Sequence, residues 1–212
     1  MVENITVNIQ NSIKINSGVG IIYVDPLGIG EETHDADFIL ITHDHYDHFS
    51  TEDIRKVAKQ ESILVIPEKM SGKARPVSSF VGKTESVTPG IQCDIKGLQF
   101  ETIPAYNLLK PFHPKSAGWV GYLLQIDGKR IYVAGDTDAT KEARTVACDI
   151  ALVPIGGTYT MDPKKAAELV NEIRPEVVIP VHYGSMVGKP TDGKVFAENI
   201  NPPTEVVFKL EF

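Results

Sequence analysis

Short apolar runs broken by polar, glycine and proline positions recur along this chain and predict a protein built mainly of strands with a few intervening helices. Ile5, Val7 and Ile9 alternate with polar residues as an opening strand. Asn16-Ser17-Gly18 then turns the chain into Gly20-Ile21-Ile22-Tyr23-Val24, so the protein begins as an antiparallel meander. Phe38-Ile39-Leu40-Ile41 and Ile63-Leu64-Val65-Ile66-Pro67 read as buried strands, and Trp119-Val120-Gly121-Tyr122 as another. Residues 123–133 form a hairpin about Asp127-Gly128, the strongest local turn signal in the chain. Strands at 177–181 and 205–210 follow.

Helices fill three of the gaps. Ser50 or Thr51 can cap a helix over 50–58, whose acids Glu52 and Asp53 sit in the first turn, where the helix dipole favours them. Asp162-Pro163 starts a second with a side-chain cap and a pre-set φ; Ala166, Ala167, Leu169, Val170 and Ile173 form its apolar stripe, and Pro175 ends it. A last helix is expected over 192–199. Residues 69–83, rich in Gly, Ser and Pro, read as a looser connection.

The chemistry lies directly after the Phe38 strand. Thr42-His43-Asp44-His45-Tyr46-Asp47-His48 brings imidazoles and carboxylates together, the ligand types that zinc and similar ions accept. His43 and His45 lie two apart and can face one centre from an extended turn. Asp47 and His48, a step later, can face a second. A lone histidine on an apolar strand is usually a satisfied core residue, but so many titratable groups beside a buried strand need partners.

Length and composition fit one catalytic domain over residues 1–212: 42% of the residues are hydrophobic, enough for a substantial core. A net charge of -7 gives no basic footprint for nucleic acid. The first residues show neither a basic start nor a continuous apolar stretch, and no run is long enough to span a bilayer, so a soluble cytoplasmic enzyme is expected. Cys93 and Cys148 lack CxxC spacing and read as buried thiols in a reducing compartment.

His43-x-His45-x-Asp47-His48 after a strand resembles the signature of the metallo-β-lactamase superfamily, and further elements follow in order. Asp25 ends the Gly20 strand, Gly135-Asp136-Thr137 ends Arg130-Ile131-Tyr132-Val133-Ala134, and His182 ends Val177-Val178-Ile179-Pro180-Val181. Pro154-Ile155-Gly156-Gly157-Thr158-Tyr159-Thr160-Met161 and Val181-His182-Tyr183-Gly184 are similar to the short branch that includes ascorbate-6-phosphate lactonase and other metal-dependent hydrolases. The resemblance implies an α/β (α+β) fold, a four-layer αβ/βα sandwich with the metals in the cleft between its halves. It also implies two divalent ions, zinc first and manganese or iron as alternatives: His43 and His45 on one, Asp47, His48 and His182 on the other, and Asp136 bridging. Asp47 would also orient hydroxide and carry protons. One motif departs from the pattern, because Asn107 stands after Pro104-Ala105-Tyr106 where that branch has histidine. His113, in a loop between prolines, is either the missing ligand or a pocket residue, with Asn107 or water at the vacancy in the second case.

The activity expected is hydrolysis, by metal-bound hydroxide, of a small anionic ester, lactone or phosphoester. Lys110 and Lys115 could supply a cationic rim and Tyr159 and Tyr183 an aromatic wall, with Asn107 in the same pocket. The alternatives are a nuclease or phosphodiesterase of the same fold, a β-lactamase or thioesterase, and a metal-binding protein without turnover. The expected partner is a small molecule, with nucleic acid disfavoured and no membrane; a homo-oligomer is compatible with the sequence.

Overall fold

A computed structural model describes residues 1–212. Its thirteen strands form two sheets. The first holds β1 (Ile5–Val7), β2 (Ile13–Ser17), β3 (Gly20–Val24), β4 (Ala36–Leu40), β5 (Ala58–Pro67) and β6 (Lys83–Val87) in chain order. The second holds β7 (Gln92–Ile95), β8 (Leu98–Pro104), β9 (Val120–Ile126), β10 (Lys129–Val133), β11 (Ile150–Pro154), β12 (Val177–Val181) and β13 (Glu205–Val206), also in chain order. Each sheet starts antiparallel and turns parallel, the first at the β3/β4 pair and the second at β10/β11. The two halves therefore repeat a topology that no sequence repeat betrays.

Period-two alternation explains the layers. Ile22, Val24, Phe38, Leu40, Ile63 and Val65 point to the interior shared with Phe100, Tyr122, Leu124, Ile131 and Val133 of the second sheet. Tyr23, Ile39, Leu64 and Ile66 point outward and pack on Ile54 and Val57 of α1 (Thr51–Val57). Helices α2 (Pro163–Ile173) and α3 (Asp192–Glu198) pack on each other, and α2 buries Ala166, Ala167, Leu169 and Val170. The result is the mixed α/β sandwich that the sequence predicts.

Caps set the helix ends. The Ser50 side chain accepts from Asp53 N at 3.2 Å, and Asp162 accepts from Lys164 N and Lys165 N at 3.1 and 3.0 Å. Arg174 adopts φ 48° in the left-handed region and closes α2 before Pro175.

Several expectations change. β1 stops at Val7 because the chain turns through Gln10 at φ 52°, so Ile9 is not in the strand. Residues 69–83 are no loose connection: Met70, Ala74, Val77 and Val81 are buried against the outer face of the first sheet. The final strand is only Glu205–Val206, beyond which Leu210 turns in to bury itself. Trp119 precedes β9 rather than beginning it. β6 and β7 are largely exposed and carry no apolar run, and β8, though mostly buried, mixes polar with apolar residues, so none of the three stands out in the sequence. No helix is long and apolar enough to cross a membrane.

Candidate metal centre

Every motif residue leaves the C-terminal end of a strand, where loops can converge over a rigid scaffold. Asp25 follows β3, His43 to His48 follow β4, Asp136 follows β10 and His182 follows β12; Asn107 and His113 lie between β8 and β9. The turns are sharp. Asp25 and His182 have φ of 46° and 56°, and Gly135, at φ 63°, bends the chain into Asp136. Such conformations are tolerated where the surroundings fix them and concentrate at functional sites.

Two sets of donor atoms converge. In His43, His45 and His113, and again in Asp47, His48 and His182, the candidate ligand atoms lie within 4.8 Å of one another; His43, His48 and Asp136 form a third group between them. Nε2 of His113 is 3.4 Å from Nε2 of His43, and Nε2 of His182 is 3.1 Å from Nε2 of His48. Asp136 faces both sets: Oδ1 is 3.3 Å from His48 and from His182, while Oδ2 is 3.4 Å from His113.

Neighbouring groups orient the rings. Asp25 is fully buried and its carboxylate accepts from Thr42 N at 2.7 Å, Thr42 Oγ1 at 2.6 Å, Asn11 Nδ2 at 2.8 Å and His48 Nδ1 at 2.7 Å. The Thr42 hydroxyl, its proton given to Asp25, accepts from His43 Nδ1 at 2.9 Å. Asn107 Nδ2 donates to the Tyr159 carbonyl at 2.9 Å, which turns its Oδ1 to accept from His113 Nδ1 at 3.1 Å. In the uncharged rings, three Nε2 lone pairs are thereby aimed inward. The lone pairs of His43 and His113 face each other at 3.4 Å and repel, and a cation between them removes the repulsion. Asp136 Oδ1 is moreover buried without a hydrogen-bond donor. The donor set thus fits divalent metal.

Electrostatics agree with that fit. Burial holds His43 and His45 below their ordinary value and brings His113 down to about 4, so these rings are neutral at pH 7, as metal ligands must be. Burial also works against charge on His48, but Asp136 and Asp25 outweigh it and raise this ring well above its usual value. In the metal-free protein His48 therefore carries a proton where a cation fits. Asp136 and Asp47 shift the other way: burial opposes their charge, and the facing histidines, His182 foremost, more than compensate.

The structure settles where the two loop residues lie. His113 is buried beside His43 and His45, and Asn107 stands behind it rather than at the vacancy. Lys110 is bound to Asp138 at 2.7 Å and to the Thr160 carbonyl; Lys115 pairs with Glu142 at 2.7 Å and covers the Tyr106 ring. Neither is a free cation. Tyr159 is partly exposed and meets Phe112, whereas Tyr183 is buried against Phe212, beside Gly193 of α3. Ligand chemistry in the sequence gives no role to Thr42 or Asn11, which hold the Asp25 carboxylate and, through it and Thr42, the His48 and His43 rings. Trp119 lies 4.8 to 5.1 Å, ring to ring, from His43, His45 and His113. For Thr42 and Asn11 the adjacency of Thr42 to His43 is the one signal in the sequence.

Histidines and carboxylates gathered at the strand ends of two facing sheets define a metal-centre protein of the sandwich class. The chain belongs to the metallo-β-lactamase superfamily: residues 4–182 match the family described as the Beta-lactamase superfamily domain. A relative from Aeropyrum pernix, named a UPF0173 metal-dependent hydrolase, is 34% identical, over 83% of this chain and 78% of its own length. The crystal structure of a candidate metal-dependent hydrolase of Parabacteroides distasonis superposes with a TM-score of 0.81 at 28% identity, covering 98% of this chain and 93% of that one. The metallo-β-lactamase fold protein YhfI of Bacillus subtilis is similar in fold alone, with a TM-score of 0.73 at 9% identity over 94% of this chain and 89% of that one.

Proposed function

We propose that the chain is a metal-dependent hydrolase of a small anionic ester, lactone or phosphoester, working with two divalent ions, zinc first and manganese or iron as alternatives. The observation that carries this reading is the division of Asp136, one carboxylate oxygen toward each histidine set. In this reading His43, His45 and His113 would hold one ion and Asp47, His48 and His182 the other, with Asp136 within reach of both sets. Ions bound there supply Lewis acidity, acidifying water and polarising the carbonyl or phosphoryl oxygen of the substrate.

The chain's own groups do the rest. Asp25, Thr42 and Asn107 hold three rings with Nε2 inward, so little reorganisation is left for the reaction. Asp47 keeps a side-chain exposure of 13% while its Oδ2 sits 3.2 Å from His182. Its other oxygen is therefore free to orient the attacking water and to pass a proton to the leaving group. With Lys110 and Lys115 held in ion pairs, a substrate anion would be met by the ions rather than by a cationic rim. Cys93 and Cys148 are free thiols, in keeping with a cytoplasmic setting.

A panel of lactones, phosphomonoesters and phosphodiesters, assayed with zinc, manganese, cobalt and nickel, tests the proposal. Metal-dependent turnover lost in Asp47→Asn is expected. No turnover of any member after reconstitution would overturn it, and faster, salt-sensitive cleavage of an oligonucleotide would move the reading to a nuclease.

A further inference from the structure

Four of the nine exposed large apolar side chains, Tyr46, Leu108, Leu109 and Phe112, belong to the segments that carry the metal-centre residues, and a fifth, Tyr159, lies on the loop to which Asn107 is hydrogen-bonded. Tyr46, at 76% exposure, stands between His45 and Asp47; Phe112, at 43%, adjoins His113; Leu108, at 57%, follows Asn107. Tyr159 holds Asn107 through its carbonyl and meets the Phe112 ring edge-on at 4.7 Å. Trp119, only partly buried, continues this wall inward to the imidazoles. The two lysines that could have made the mouth cationic are drawn into ion pairs instead. Water-exposed aromatic surface gathered at one site marks a place where something apolar is bound.

We propose that this rim receives a hydrocarbon part of the substrate, an alkyl chain of several carbons or an aryl ring beside the scissile bond. The substrate class is then amphipathic: an ester, lactone or phosphoester head toward the histidines and an apolar group against Phe112, Tyr159 and Trp119. The head group rests on the hydrolase reading above; the apolar group rests on the rim alone. Because the rim is continuous with the metal centre, the substrate is its occupant, rather than a second copy of the chain.

Trp119 is the only tryptophan, so its emission reports on the rim directly. Zinc-loaded protein would be titrated with alkylphosphonates from methyl to octyl and with phenylphosphonate, none of which can be turned over. The expected dissociation constant falls about fourfold per methylene until the chain outruns the rim. Phe112→Ser and Tyr159→Ser, checked for folding by circular dichroism, should flatten that dependence. Equal affinity for methyl and octyl phosphonates in the unaltered protein, or no binding of the octyl compound, would overturn the proposal. So would a dimer that the variants lose together with a flat series, since the rim would then belong to a second copy. Failure of the hydrolase reading looks different: a steep chain-length dependence with no ester, lactone or phosphoester turned over.

Discussion

Replacing Asp25 by Asn changes charge and little else. The two side chains are nearly isosteric, and Asn is among the residues that best tolerate the left-handed backbone found there, at φ 46°. Yet all four contacts to the Asp25 carboxylate come from donors, three of them to Oδ2 and one to Oδ1. An amide has only one acceptor oxygen. If it faces His48, the NH2 meets Thr42 N–H; if it faces Thr42, the NH2 meets His48, Asn11 and the Thr42 hydroxyl. Either way a buried donor is left opposite another donor, at a cost of about 3 kcal/mol, from one or two lost charge-assisted bonds. For a chain of this size that lowers Tm by roughly 6–12 °C. The His48 ring also loses the partner that fixes its Nε2 inward, and outer contacts of this kind are worth about 10- to 100-fold in metal affinity. Thermal denaturation of the metal-free protein measures the first effect and chelator competition the second. A variant with unchanged Tm and unchanged affinity would refute the claim that Asp25 orients the centre.

Asp136→Ala should lower the metal content measured by elemental analysis from two ions toward one and abolish turnover with the fold retained; full metal and activity would make Asp136 a mere turn residue. His113→Ala should weaken the site shared with His43 and His45 by more than Asn107→Ala, which should cost about 10- to 100-fold in affinity, because Asn107 only orients the ring. Metal uptake at pH 7 should release a proton, since His48 is raised and must lose it; affinity should therefore fall as pH falls, as calorimetry in buffers of different ionisation enthalpy would show. His113 has the opposite sign in the metal-free protein: with its pKa brought from 6.5 to about 4, the stability it contributes is present above 6.5 and lost as the pH falls through 4, which denaturation midpoints across that range would follow. Gly156→Ala should destabilise by about 1–3 kcal/mol and loosen metal binding, because its methyl would meet the His182 carbonyl and Val187; an unchanged Tm would refute this.

The ligand-bearing turn after β4 was legible because its chemistry is local. Histidines and carboxylates crowded behind a buried apolar run are costly without a partner, so His43 to His48 announce themselves, whereas Asp25, Asp136 and His182 were singled out only by the superfamily resemblance, at the ends of legible strands. Apolar runs and the Asp127-Gly128 turn revealed β3, β4, β10 and β12, the strands that deliver most of the centre, while the exposed β6 and β7 and the mixed β8 left no such trace. What the sequence could not decide is what meets across the cleft. His113 and Asn107 lie six residues apart in one loop, and local pattern is silent on which of them turns toward His43, 70 positions away in the chain. Lys110 and Lys115 looked free until Asp138 and Glu142, distant in sequence, were folded onto them. Tyr183 adjoins His182 and was expected in the pocket, yet the left-handed turn at His182 is followed by packing against Phe212 instead. Side-chain type and spacing are properties of the chain, whereas pairing and orientation arise only when the two sheets close on one another.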